Sequence, residues 1–78
     1  MDIQIEKAIG NNIRILRENK KLTQEQLSAK LQTKGCDITR SAIAKIEVGQ
    51  SHIYPDEILL IKEILDVPFD KIFDIENN

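Results

Sequence analysis

The sequence predicts a compact all-α domain of about five helices, and three observations predict it. Apolar residues recur at spacings of three and four along most of the 78-residue chain, the period of a helix with one buried face. No run alternates apolar with polar residues for a useful length, as a half-buried strand would. Breakers are few, and Gly10, Gly35, Gly49, Pro55 and Pro68 divide the chain at helix boundaries. The length bounds the chain to one domain, expected over residues 1–78. Its apolar set is aliphatic, with Phe69, Phe73 and Tyr54 as the aromatics, which suits helices better than a sheet.

The first helix is expected over residues 3–20. Ile9, Ile13 and Leu16 fall on one stripe, and Arg14, Arg17, Glu18 and Lys20 occupy other faces. Gly10 weakens this helix by roughly 1 kcal/mol relative to alanine. Lys20 and Lys21 suit its C-terminal end, where the dipole favours positive charge. The second helix, residues 24–33, begins at Thr23 as N-cap with Gln26 three positions on, the pattern of a capping box. Leu22 and Leu27 fit the accompanying staple. Leu27 and Leu31 face inward with Ser28 small between them, and Gly35 offers a left-handed stop. The third helix, residues 40–48, has Thr39 as its N-cap, Ile43 and Ile46 as its buried pair and Gly49 as its end. Pro55 opens the fourth, residues 55–65, with Asp56 and Glu57 in the acidic first turn. Ile58, Ile61 and Leu65 form its inner stripe. Pro68 opens the last, residues 68–73, with Phe69, Ile72 and Phe73 expected to face inward.

Composition narrows the function. The net charge is −2, which alone argues against nucleic acid. Its distribution says more. Residues 1–53 carry nine Lys or Arg against six Asp or Glu, a balance of +3, whereas residues 54–78 carry two against seven, a balance of −5. Cys36 is the single cysteine, so no internal disulfide forms, and a small, partly buried residue in a reduced compartment is expected. No apolar run approaches the ~20 residues of a membrane span. Met1-Asp2-Ile3-Gln4 lacks the layout of a signal peptide, and the expected location is the cytoplasm. One histidine and one cysteine make no zinc set, Asp56-Glu57 fits helix N-terminal charge better than a catalytic pair, and no phosphate-cradling glycine loop exists. No catalytic residue, cofactor, metal, membrane or small-molecule substrate is expected.

The informative stretch is residues 22–49. With Ile43 taken as the inward direction, Ile46, Thr39 and Glu47 lie on the inner side of the third helix, and Ser41, Ala44, Lys45 and Val48 point away. Arg40 projects sideways from the first turn. Small residues among hydrogen-bonding ones suit a major groove about 12 Å wide. Ala44 suits a thymine methyl, Arg40 or Lys45 a guanine edge, and Ser41 a base or a phosphate. The helix N-terminus also aims N–H groups at phosphate. On this helix alone, an ordinary solvated face is the better account.

The wider pattern reverses that judgement. Ile9-Gly10-Asn11-Asn12-Ile13-Arg14-Ile15-Leu16-Arg17, then Leu22-Thr23-Gln24-Glu25-Gln26-Leu27, then residues 38–49 (Ile38-Thr39-Arg40-Ser41-Ala42-Ile43-Ala44-Lys45-Ile46-Glu47-Val48-Gly49), closely resemble the Cro/phage-repressor (XRE-like) type of helix-turn-helix family. The resemblance extends to Val67-Pro68-Phe69-Asp70-Lys71-Ile72-Phe73, so it covers residues 9–73. It implies a five-helix, lambda-repressor-like DNA-binding domain with the helix-turn-helix unit at about residues 23–48. It implies that Gln24 contacts backbone phosphate and steadies the recognition helix. Arg40, Ser41 and Lys45 fall where the family places base-reading side chains, with Ala44 beside them, and Thr39 both caps the helix and touches phosphate. Gln50 and Ser51 match a loop that often meets the DNA backbone; His52 is either a further member of it or a plain loop histidine. Arg17 and Glu47 match the family's internal salt bridge.

Three departures stand out. The stretch between Leu31 and Thr39 is several residues longer than the usual tight turn, so Gln32 to Asp37 extend the second helix, enlarge the loop, or both. Val48 replaces a common polar phosphate contact. Asp66 replaces a common glycine, so a left-handed cap there costs strain.

The expected function is that of a sequence-specific transcriptional regulator, a repressor that binds a palindromic operator in double-stranded DNA as a homodimer. The fourth and fifth helices, with Leu60 or Ile64 on an outer side, are the expected dimer surface. The alternative is an interaction module, such as an antitoxin or adaptor. Against it, the end at Asn78 leaves hardly any tail to wrap a partner.

Overall fold

Five α-helices follow one another through residues 3–75, which the computed structural model describes. They are α1 (Ile3–Asn19), α2 (Gln24–Thr33), α3 (Arg40–Glu47), α4 (Pro55–Leu65) and α5 (Phe69–Ile72). The first and third helices stop one residue earlier than the periodicity suggests. Lys21 adopts a left-handed conformation at φ 60° after α1, and Val48 caps α3. Pro68 precedes α5 as its N-cap, and Phe73 follows as its C-cap, so both lie outside the helix expected over residues 68–73.

Each start has a local cause. Thr23 Oγ1 accepts from the Gln26 amide at 3.0 Å while Gln26 Oε1 accepts from the Thr23 amide at 2.8 Å, the reciprocal capping box. Thr39 Oγ1 accepts from the Ala42 amide at 3.1 Å and sets where α3 begins. Pro55 is the first residue of α4, and the Glu57 carboxylate accepts from the Tyr54 amide at 2.9 Å. Asp66 ends α4 at φ 55°, the strained left-handed cap that a glycine takes more easily.

The core draws on every helix and on both long connections. Ile9 and Ile13 of α1, Leu27 and Leu31 of α2, Ile43 and Ile46 of α3, Ile58, Ile61 and Leu65 of α4 and Ile72 of α5 are buried, together with Ile38 and Ile53 from the connections. Phe69 and Phe73 correct the inward assignment: they remain 43% and 44% exposed, with ring centroids 6.3 Å apart. Ile72 alone of that trio is buried, because a one-turn helix turns one side chain to the core. On α4 the outermost apolar residue is Leu59, whereas Leu60 and Ile64 are half-buried against the core. Asn12 Nδ2 donates to the carbonyls of Ile72 at 2.9 Å and Asp74 at 3.0 Å, which fastens the end of α5 to α1.

The closest packing joins α1 to α3. Gly10 is more than a weak point in α1: a Cβ at this position would overlap the Ile46 carbonyl oxygen and lie 3.0 Å from its carbonyl carbon. At the C-terminal end of the same contact, Arg17 Nε donates to Glu47 Oε2 at 2.7 Å and Nη2 to Oε1 at 3.1 Å. Arg17 Nη1 donates to the Leu22 carbonyl at 2.7 Å. Arg17 and Glu47 are only 7% and 3% exposed. The hydrogen bond to Glu47 raises the Arg17 pKa above its already high ordinary value, against the opposing effect of burial. Among the described residues no buried side-chain nitrogen or oxygen lacks a hydrogen-bond partner.

Gly10→Ala is expected to destabilise the protein by about 1–3 kcal/mol through overpacking, although alanine favours a helix interior by about 1 kcal/mol. Urea unfolding measures this, and a variant as stable as the wild type would show that the helices separate freely. Arg17→Met or Glu47→Leu alone should cost about 3–5 kcal/mol, because each strands a buried charge. That is a fall in Tm of more than about 10 °C. The double variant should lose less than the sum of the two; additive losses in this cycle would mean that the pair is not coupled.

Candidate nucleic-acid interface

The outer face of α3 follows from its inner one. Ile43, Ile46 and Glu47 are buried, so the helical period turns Ser41, Lys45 and Val48 outward. Arg40, Ser41 and Lys45 are exposed, Ala44 is half-buried, and Val48 is 52% exposed. The face therefore carries two cations and a hydroxyl around a small residue. Thr39 is exposed at its start.

Gln24 stands at the first position of α2 and reaches across to α3. Its Nε2 donates to Glu47 Oε1 at 3.0 Å, so the carboxylate that pairs with Arg17 also holds this amide. One network thus ties Leu22, Arg17, Glu47 and Gln24, and it joins α1, α2 and α3. Gln24 and Arg40 line one open cleft between the starts of α2 and α3, together with Arg17, Thr23 and Glu25. Gln50 and Ser51 lie beyond the other end of α3. There Gly49 turns at φ 78°, where a Cβ would come within 2.8 Å of Lys7 Cβ, and the Gln50 amide donates to the Lys45 carbonyl at 2.8 Å. Gln50 and Ser51 line a second cleft with Ile3, Glu6, Gly49 and His52. The residues singled out in the sequence thus form no single pocket. They form a band along α3 with a cleft at each end.

The long connection between α2 and α3 leaves α2 ending at Thr33 and forms a loop. Gly35 turns at φ 87°, and the Cys36 amide donates to the Leu31 carbonyl at 2.9 Å. The Ile38 carbonyl is held by Ser28 Oγ at 2.7 Å and Gln32 Nε2 at 3.2 Å, while the Ile38 side chain is buried. The residue immediately before the Thr39 cap is therefore fixed to α2 whatever the loop beyond it does.

Cys36 is half-buried. Burial raises its thiol pKa, and the nearby carboxylates of Glu57, Asp56 and Asp37 raise it further. This keeps the sulfur protonated and makes it a poor nucleophile. Among the described residues no group of three His, Cys, Asp or Glu side chains is placed to hold a metal ion. Among the described residues no helix is long and apolar enough to cross a membrane.

Sequence reasoning missed one contact. His52 Nδ1 lies 2.7 and 3.0 Å from the two carboxylate oxygens of Glu6, and Glu6 is 5% exposed. A signal was present, since Glu6 lies one step before Ile9 and Ile13 on the buried stripe of α1, where a charge needs a partner.

The comparison with protein families matches residues 13–72 to the model described as Helix-turn-helix. No curated protein and no solved structure matches the chain. The matched span contains α2, α3, α4 and α5 whole and the second part of α1. The chain belongs to the Cro/repressor-type helix-turn-helix family and forms a DNA-binding transcription-regulator domain.

Proposed function

We propose that the chain is a single-domain, sequence-specific repressor of transcription that works in the cytoplasm and binds a palindromic operator as a homodimer, with no catalytic activity. The observation that carries this reading is the outer face of α3, where Arg40, Ser41 and Lys45 are exposed around half-buried Ala44. In the groove, Arg40 and Lys45 donate to guanine O6 and N7, Ser41 bonds a base edge or phosphate, and Ala44 meets a thymine methyl. Phosphates set the register. Gln24 has a second amide N–H besides the one given to Glu47, and Thr39 has its hydroxyl proton besides the lone pair given to Ala42. Both groups can donate to phosphate oxygens without giving up their structural bonds. Gln50 and Ser51 contact the backbone beyond the other end of the helix.

Charge distribution supports the orientation. The segment with a balance of +3 contains α3, and the segment with a balance of −5 contains α4 and α5, turned from the DNA. Exposed Leu59, Phe69 and Phe73 support a dimer contact on α4 and α5. Two copies then present their α3 helices to half-sites about 34–36 Å apart.

Selection from randomised duplex DNA should recover a symmetric motif. Arg40→Ala with Lys45→Ala should lower affinity for it by at least about thirtyfold, with unchanged circular dichroism. No enrichment, with only salt-sensitive binding near ~10⁻⁴–10⁻⁶ M, would overturn sequence reading. The log–log salt slope should approach about −0.9 per phosphate neutralised. For the dimer, Leu59→Lys with Phe73→Lys should shift sedimentation toward the monomer. An unchanged sedimentation coefficient would move the contact elsewhere.

A further inference from the structure

We infer that His52 is a further DNA-contacting residue, held at Nδ1 by buried Glu6 so that its outer edge, as an imidazolium, donates to a backbone phosphate. This rests on the reading of the chain as a DNA-binding protein. It adds a proton to the binding reaction.

With Glu6 as a carboxylate, which only accepts hydrogen bonds, the nitrogen facing it carries a proton and donates. Nδ1 lies 2.7 and 3.0 Å from the two oxygens, which fixes the tautomer and the plane of the ring. The anchoring group is buried, at 5% exposure for Glu6, whereas the histidine side chain is 72% exposed. The ring is therefore tethered by one edge and presents Nε2 outward. It does so in the cleft that contains Gln50 and Ser51, beyond the C-terminal end of α3. Glu6 precedes the span matched to the family, so this pairing draws on a residue outside that pattern.

Two charge states follow. With a neutral ring, Nε2 carries a lone pair and the Glu6–His52 pair has a net charge of −1, both unfavourable beside phosphate. With a second proton, Nε2–H is a donor and the pair is neutral with its cation outermost, the arrangement for a charge-assisted bond to phosphate. DNA therefore favours the protonated ring, and binding takes up a proton. Affinity should therefore fall as pH rises. The charged neighbours are few. From α1 come Glu6 and Lys7, the latter packed under Gly49. From α4 come Asp56 and Glu57, the latter engaged on the Tyr54 amide. The residues from 48 to 54 hold no charged group besides His52. His52 is the one histidine of the chain.

The test is fluorescence anisotropy with a labelled duplex of about 20 base pairs, two helical turns, between about pH 5.5 and about pH 8. The wild-type Kd should rise about tenfold across this range. His52→Asn keeps a donor toward Glu6 and removes the titration, so its Kd should stay flat. Glu6→Gln removes the buried negative charge and should bind more tightly than the wild type at the alkaline end. In nuclear magnetic resonance titrations of wild type, the His52 ring signal should show a higher midpoint with duplex present than without. An identical pH slope in wild type and His52→Asn, both folded, or an unmoved midpoint, overturns the role of His52 and leaves DNA binding standing. Failure of any duplex to bind at either end of the range overturns both.

Discussion

Glu47 is a carboxylate at the end of α3 with almost no access to water, and the placement of three helices follows from how its charge is met. An ion taken from water into a protein interior loses several kcal/mol of hydration unless its lone pairs are satisfied. Here two arginine nitrogens and one glutamine amide satisfy them. Arg17 must come from α1 at the correct rotation, and Gln24 must be the first residue of α2. Each donor is itself held: Arg17 by its third bond to the Leu22 carbonyl, Gln24 by the capping box that starts its helix. Gly10 lets the backbones of α1 and α3 meet closely enough for the arginine to reach. The network says more about geometry than about net stability, since hydrophobic groups of the same shape often pack as well.

The fold was legible where local chemistry and periodicity agree. Thr23 with Gln26, Thr39, Pro55 and Gly49 each mark a boundary through a hydrogen bond, a ring or a positive φ that belongs to the residue itself. The aliphatic stripes on α1 to α4 mark the buried faces for the same reason. Phe69 and Phe73 were misassigned because a single helical turn carries too little pattern to separate inner from outer aromatics. Gly10 was legible as a glycine but not as a contact, since its partner is a carbonyl 36 positions on, reached only through the α1–α3 packing. Leu59 in place of Leu60 or Ile64 reflects the same limit: the apolar side of α4 is broad, and tertiary packing decides which edge of it stays in water.

For the candidate interface, the division runs between direction and company. The helical period around Ile43 was enough to turn Ser41 and Lys45 outward. It was not enough to pair Gln24 with Arg40 around one cleft, or to bring Glu6 to His52. Those juxtapositions join residues on different elements. The loop after Thr33 belongs to the same class. Its length was evident, but its anchoring through Ser28, Gln32 and buried Ile38 depends on the packed face of α2.

The side chains on the outer face of α3 have one further property. Arg40, Ser41 and Lys45 make no side-chain hydrogen bond or ion pair among the described residues, while Ile43, Ile46 and Glu47, which hold the helix to the rest of the fold, are buried. Holding and presenting are thus assigned to separate residues of one short helix. Exchange of the presented set leaves the caps, the core and the buried ion pair untouched. Ala44 differs from these three in being half-buried. In evolutionary terms the helix is a replaceable key on a fixed shank: three of its exposed positions can change with little loss of foldability, and, on the proposed reading, such changes would redirect the protein to a new target.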